Sequence, residues 1–160
     1  MTLKGRGNSM SDLDRLREGG VVGGGGAGFP LWKKLSAPAE SLLVNGAECE
    51  PLIKSDQYLM LHEAHALVCA ANRLRELIGA KRVVICLKDH YHDQQRALEA
   101  AIGETGLCVE LHKLPTVYPI GDEQAVVCSA TGRVVPPGGL PGMVGCTVVI
   151  VSTALNAWRA

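Results

Sequence analysis

A glycine-rich segment, residues 19–30, constrains this chain more than any other part of its sequence. Seven of its twelve residues are glycine. Ordering such a run costs backbone entropy and buries almost no side chain, so it benefits a folded protein mainly where another group must approach the backbone closely. A surface loop without function is the alternative, and one G-x-G-x-x-G pattern does not exclude it.

The residues after the glycines favour an anion site. Pro30 suits the first turn of a helix, and residues 30–35 predict a short one. A glycine loop that leads into a helix N-terminus can bind a phosphate through backbone N–H groups, and Lys33 and Lys34 add positive charge. No clear strand precedes the loop, so it is not the ordinary dinucleotide-binding fingerprint of strand, loop and helix.

The composition argues against several classes of protein. The 160 residues suit one domain, 47% are hydrophobic, and sixteen basic and sixteen acidic residues give a formal net charge of zero. This balance argues against a nucleic-acid partner held by bulk electrostatics. We expect no secretory signal, and no apolar run approaches the roughly 20 residues that span a bilayer.

The six cysteines are single and widely spaced, with no C-x-x-C pair. We therefore expect no zinc or iron–sulfur site within this chain, and isolated thiols are typical of the reducing cytoplasm. His62 and His65, three residues apart on a predicted helix, could bind a metal. A solvated helix face is the expected role for them, so we predict no metal site.

Apolar runs alternate with helical patterns along the chain. This alternation predicts a three-layer, Rossmann-like α/β domain with a mostly parallel sheet over residues 20–160, preceded by an arm and short helix at 1–19. The predicted strands lie near 41–45, 82–87, 107–113 and 146–151. The predicted helices lie at 11–18, 30–35, 55–80, 92–102 and 122–130, with a last one from Thr153.

Two further motifs follow the predicted strands. Asn45, Glu48 and Glu50 leave the first strand together, and two carboxylates aimed the same way can accept hydrogen bonds from ribose hydroxyls and repel a 2′-phosphate. Helix capping, or pairing with Lys54, is the alternative. The stretch 118–123, Tyr-Pro-Ile-Gly-Asp-Glu, places an aromatic residue, a glycine and two acids before a helix, and simple capping is again the alternative.

Together these motifs resemble a known family. Gly-Gly-Gly-Gly-Ala-Gly-Phe-Pro at 23–30 with Lys34, Asn-Gly-Ala-Glu-Cys-Glu-Pro at 45–51, and Tyr-Pro-Ile-Gly-Asp-Glu at 118–123 look like the flavin- and NADH-binding domain of the complex I flavoprotein subunit. The C subunit of the Rnf complex and the cobalamin reductases of microcompartments resemble the chain more closely. Residues 117–123 and 130–133 favour the cobalamin reductase branch.

The resemblance implies FMN and NADH as cofactors. In the family's pattern, Glu48, Glu50 and Glu123 would contact the flavin or the NADH, and Phe29 would lie beside the path of the nicotinamide. Glu123 and Phe29 are thus the candidate catalytic residues. The remaining candidates would hold cofactor; they are Gly23, Gly25, Gly26, Gly28, Lys34, Asn45, Tyr118, Gly121, Asp122 and Thr153.

The sequence also departs from the family. Members usually carry two asparagines before a threonine at the last strand–helix junction, where this chain has Val149 and Ile150 before Thr153. Loss of these polar contacts predicts weak FMN binding. The family's cluster-binding cysteine runs, which form C-terminal modules in longer chains, are also absent.

The resulting hypothesis is NADH-dependent, flavin-linked electron transfer in the cytoplasm, as in the N-terminal domain of a cobalamin reductase. The expected partners are a corrinoid enzyme, an iron–sulfur protein or a bacterial microcompartment shell. A domain like that of the Rnf-type C subunit is an alternative. A non-catalytic nucleotide-binding or assembly module is another.

Overall fold

A computed structural model describes residues 11–48, 50 and 52–160, and its core is a four-stranded sheet with the strand order β3-β2-β1-β4. Every strand pair is parallel. Helices cover both faces, as a parallel sheet requires. The predicted three-layer, Rossmann-like α/β fold is confirmed.

The bounds of the elements follow the predicted alternation. The strands are β1 (Ser41–Asn45), β2 (Arg82–Lys88), β3 (Glu110–Leu114) and β4 (Cys146–Ile150). The helices are α1 (Asp12–Glu18), α2 (Leu31–Leu35), α3 (Ser55–His62), α4 (Ala64–Leu77), α5 (His92–Thr105), α6 (Glu123–Thr131) and α7 (Val151–Arg159), with a 3₁₀ helix at Pro141–Val144.

The alternation of side chains along β1 divides the core into two clusters. Leu42 and Val44 pack on the side that also holds Leu67 of α4 and Leu155 of α7. Leu43 faces the other side, with residues of α6. Since β1 is buried throughout, both faces of the sheet centre contribute hydrophobic stabilisation.

Three of the predicted helices have other bounds than expected, and the last of them begins at Val151, directly after β4, instead of at Thr153. The single helix predicted over 55–80 is two helices, because Glu63 leaves helical geometry at φ −123° and ψ 28°. The Glu63 carboxylate pairs with Arg159 of α7. The helix predicted to end near Gly103 continues to Thr105, where Gly106 ends it at a left-handed φ of 64°, the conformation that glycine adopts without strain.

The third strand begins later than predicted. Residues 107–109 precede it, and pairing with β2 starts at Glu110, opposite Val84. The Glu110 carboxylate also accepts hydrogen bonds from the Arg82 guanidinium at 3.0 and 2.6 Å. Alternation alone could not mark this boundary, because it depends on the partner strand.

The N-terminal helix packs against the rest of the chain. Ser11 caps α1 in a capping box with Asp14, and Leu16 is buried in the larger core cluster. Residues 1–10 of the predicted arm, and Cys49 and Pro51 of the second motif, lie outside the described residues. Within the described part of the chain, no helix is long and apolar enough to cross a membrane.

Candidate functional site

The glycine-rich segment forms a closed loop. Val22 and Pro30 make an isolated antiparallel bridge, and the Gly23 N–H donates to the Phe29 carbonyl at 2.9 Å. Gly26 and Gly28 adopt left-handed φ angles of 86° and 59°, which side chains disfavour. Glycine at positions 26 and 28 is therefore explained by the conformation of the loop itself.

One side of this loop rests on the start of α7. The Gly24 N–H donates to the Thr153 hydroxyl at 2.9 Å, and a Cβ atom added at Gly24 would lie 2.7 Å from Ile150 Cδ1. The loop is open at three other glycines, because a Cβ atom at Gly25, Gly26 or Gly28 would meet no atom of the described residues within 4 Å. The sequence alone did not single out Gly24, whose need for glycine comes from this long-range contact.

Contacts between side chains join the first and third motifs. Lys34 of α2 pairs with Glu123, the first residue of α6, at 2.5 Å between Nζ and Oε1. The two side chains remain 29% and 43% exposed. A cation is thus held beside the glycine loop but stays accessible to an anion.

Asn45 joins the second and third motifs. Its Nδ2 donates to the Gly121 carbonyl at 2.9 Å, and its Oδ1 accepts the Ala47 N–H at 3.0 Å. Since the strands are parallel, the ends of β1 and β4 lie at one edge of the sheet, with Asn45 opposite Ile150. Elements of all three motifs meet at this carboxyl edge, where ligands of open α/β sheets ordinarily bind.

Glu48 has one satisfied and one unsatisfied carboxylate oxygen. Oε1 accepts from the Ser55 hydroxyl at 2.9 Å and from the Asp56 N–H at 3.1 Å, so Glu48 caps α3. Oε2 is buried and has no hydrogen-bond partner among the described residues. The Lys88 ammonium donates to the Glu48 carbonyl at 2.5 Å, which fixes the backbone at this point.

Asp56 lies beside Glu48 in the candidate site, and the sequence indicated it only as a helix cap. Lys54 occupies the cap position of α3 instead, and the Asp56 carboxylate accepts the Ser152 N–H of α7 at 3.2 Å. Burial, and secondarily the charge of Glu48, raises the pKa of Asp56 to about 6. No local pattern indicates this, because α7 lies almost a hundred residues away.

The remaining predicted site residues make fewer contacts with the motifs. Asp122 caps α6 through the N–H groups of Gln124 and Ala125, in agreement with the capping alternative. Glu50 is exposed. Tyr118 is 85% exposed and Phe29 47% exposed, with Lys33 Nζ 6.0 Å from the centre of the Phe29 ring.

The donor set suits a nucleotide. An open glycine loop accommodates a phosphate or a ring, Lys34 can neutralise an anion, and Glu48 Oε2 can accept a ligand hydroxyl or N–H. Among the described residues there is no group of three or more His, Cys, Asp or Glu side chains that could hold a metal ion.

The chain matches the family model of the Nuo51 FMN-binding domain over residues 16–159. It is 46% identical over 147 residues to the cobalamin reductase PduS of Citrobacter freundii, covering 92% of this chain and 32% of that protein. It is 40% identical over 145 residues to the C subunit of the ion-translocating oxidoreductase complex of Pseudomonas aeruginosa, covering 88% and 18%.

A solved structure shows the same fold. The NAD⁺-reducing [NiFe]-hydrogenase in its H₂-reduced state superposes with a TM-score of 0.82 at 26% identity, over 92% of this chain and 30% of the hydrogenase chain. The chain spans about a third of the length of the PduS relative.

Proposed function

Because this chain belongs to the Nuo51 FMN-binding domain family, we propose that it binds FMN and NADH at the carboxyl edge of its sheet and supports electron transfer between them. The open side of the glycine loop at Gly25, Gly26 and Gly28 carries this proposal. Ligand atoms can reach the backbone there without meeting a side chain of the described residues. Bound FMN would supply the capacity to accept hydride from NADH.

We assign each residue of the site a role in binding FMN or NADH from the contacts that it makes. The glycine loop and Lys34 bind the FMN phosphate, while Asn45 and Thr153 hold the surrounding backbone through Gly121 and Gly24. Phe29 lies on the glycine loop, half exposed, where a stacked nicotinamide would approach. Positioning of the two rings against each other supplies most of the catalysis.

The acids favour NADH over NADPH in this proposal. Glu48 and Glu50 suit ribose hydroxyls, and their charges oppose an added 2′-phosphate. The buried Oε2 of Glu48, which has no partner among the described residues, supports this role, since a ligand hydroxyl would satisfy it.

Weak FMN binding is part of the proposal, and we propose that Ile150, rather than Val149, accounts for it. Val149 is buried in the larger core cluster, so an asparagine there would be placed among apolar side chains. Ile150 pairs with Asn45 and contacts the glycine loop. Ile150→Asn should therefore raise the affinity for FMN several-fold to tenfold, the value of roughly one hydrogen bond, whereas Val149→Asn should only destabilise the chain. Equal affinity in wild type and Ile150→Asn would count against this cause.

The electron acceptor is proposed from the relatives. Identity to the cobalamin reductase PduS favours a corrinoid as the final acceptor. From the family resemblance we also propose that the domain acts in the cytoplasm, within a microcompartment, and passes electrons through an iron–sulfur partner. An Rnf-type complex is the second candidate, favoured by the match to the C subunit of the ion-translocating oxidoreductase complex.

An anaerobic mixing experiment tests the proposed reaction. The chain with FMN should bleach the flavin absorption on addition of NADH faster than FMN and NADH do without protein. Binding of FMN without any acceleration would instead favour the non-catalytic, nucleotide-binding alternative. A protein that binds no FMN would refute the proposal as a whole.

A further inference from the structure

Three separate elements meet around two acidic side chains in the candidate site. Glu48 follows β1, Asp56 lies in the first turn of α3, and Ser152 lies in the first turn of α7. Glu48 Oε1 accepts the Asp56 N–H, and Asp56 Oδ1 accepts the Ser152 N–H. The chain of hydrogen bonds therefore runs from the second motif to the helix on which the glycine loop rests.

Burial makes this arrangement sensitive to charge. Asp56 is 8% exposed, and the second oxygen of Glu48 is buried without a partner in the described part of the chain. Two carboxylates that share a poorly solvated site cannot both ionise easily. Burial is the larger reason that the pKa of Asp56 rises to about 6, and the charge of Glu48 is the second.

Hydrogen bonds from Ser152 lower the pKa of Asp56, but by less than burial and Glu48 raise it. The Lys88 ammonium bonds the backbone carbonyl of Glu48. Further charged or titratable side chains on the surrounding elements include Glu50 after β1, Lys54 before α3, Tyr58 and His62 on α3, Glu63 at the α3–α4 junction, His92, Asp93 and Arg96 on α5, and Arg159 on α7, the partner of Glu63.

We propose that Asp56 is a positioning residue of the site: it ties the Glu48 loop to the start of α7, and its proton sets how much negative charge the site presents to a ligand. With Asp56 protonated, the site carries one negative charge fewer, and Glu48 Oε2 remains available as an acceptor. With Asp56 ionised, the added negative charge opposes an anionic ligand. This inference rests on the proposed function only in naming FMN as the probe.

Asp56→Asn separates the link to α7 from the titrating charge of Asp56. The amide oxygen can still accept the Ser152 N–H, so the link to α7 remains, but the side chain no longer titrates. FMN binding is measured by fluorescence quenching across the range from about pH 5 to about pH 7.5, which brackets the titration. The phosphate of FMN itself titrates near a pKa of about 6, so the two proteins are compared at each pH and the ligand's own titration cancels.

The expected result is a change in the ratio of the two dissociation constants. Wild type and Asp56→Asn should bind FMN equally at the acidic end. At the alkaline end wild type should bind about three- to tenfold more weakly, the effect of one added charge in a partly screened site. Asp93→Asn, an exposed acid in the first turn of α5, is the matched control and should follow wild type throughout.

A second measurement does not depend on a ligand. The carboxyl-carbon NMR signal of Asp56 in the ligand-free chain should titrate near pH 6, and Glu48→Gln should lower that midpoint. An ordinary midpoint near pH 4, or a ratio of dissociation constants that does not change with pH, would overturn the inference while leaving FMN binding intact. Failure of wild type to bind FMN at any pH would instead reject the proposed function.

Discussion

At the scale of single residues, the charged side chains of the site differ in how much of their hydration they lose on folding. Lys34 and Glu123 pair while still partly exposed, so their attraction is screened and adds little to stability. Asp56 is buried, so the same kind of carboxylate resists ionisation. Burial therefore distinguishes Asp56 from the partly exposed Glu123.

The raised pKa of Asp56 predicts a pH-dependent stability. Because the folded state retains the proton up to about pH 6, while the unfolded carboxyl loses it near pH 3.8, the folded state binds more protons in that window. The Asp56 contribution to the free energy of unfolding is therefore full below about pH 4 and falls as the pH rises to about 6, by on the order of 2–3 kcal/mol.

Urea unfolding of wild type and Asp56→Asn at both ends of this window measures the effect. The variant should gain stability relative to wild type as the pH rises, and above about pH 6 the difference should level off. A difference that is the same at every pH would show that the carboxyl does not titrate as described. Asp93→Asn again serves as the control.

At the scale of elements, the loop and its short helix depend on distant supports. The α2 helix has only five residues, too few to be stable alone, and α6 reaches it through the Lys34–Glu123 pair. The sequence predicted the loop, α2 and the bounds of β1, because apolar runs and glycines are local signals. It missed the break at Glu63, which no glycine or proline marks, and the late start of β3, which depends on pairing with β2.

The ion pair between α2 and α6 gives a prediction with its own control. Lys34→Met should weaken FMN binding about tenfold or more, since a charged hydrogen bond to the phosphate is lost. Riboflavin, which has no phosphate, should lose little affinity. Glu123→Gln breaks the pair but keeps the cation, so FMN should bind at least as tightly as in wild type. Unchanged FMN binding in Lys34→Met, measured by fluorescence titration, would remove Lys34 from the phosphate site.

At the scale of the whole molecule, the parallel sheet determines where function can lie. The strand order places the central strand β1 beside β4, so the ends of both strands, the glycine loop and the start of α7 share one edge. Strand and helix alternation made this fold predictable. The Asp56–Ser152 link was not predictable, because it joins residues 96 positions apart.

Because positive and negative charges balance over the whole molecule, the choice between NADH and NADPH depends on the acids at the site, Glu48 and Glu50. The chain has a formal net charge of zero, so no net charge attracts or repels a dinucleotide. Wild type should therefore prefer NADH to NADPH, and Glu48→Gln together with Glu50→Gln should narrow that preference. Rates of flavin reduction with the two cofactors measure it, and equal rates in wild type would contradict the assigned role of these acids.

The most direct test of the central claim is a titration of FMN fluorescence with wild type, Gly25→Ala and Gly103→Ala. A methyl group at either position meets no atom of the described residues within 4 Å, so both variants should fold. Gly103 lies within α5, away from the glycine loop. We predict saturable one-to-one quenching by wild type and Gly103→Ala, and clearly weaker binding by Gly25→Ala, whose methyl group occupies the open side of the loop. Equal affinity in all three proteins, or no saturable quenching by wild type, would contradict an FMN site at this loop.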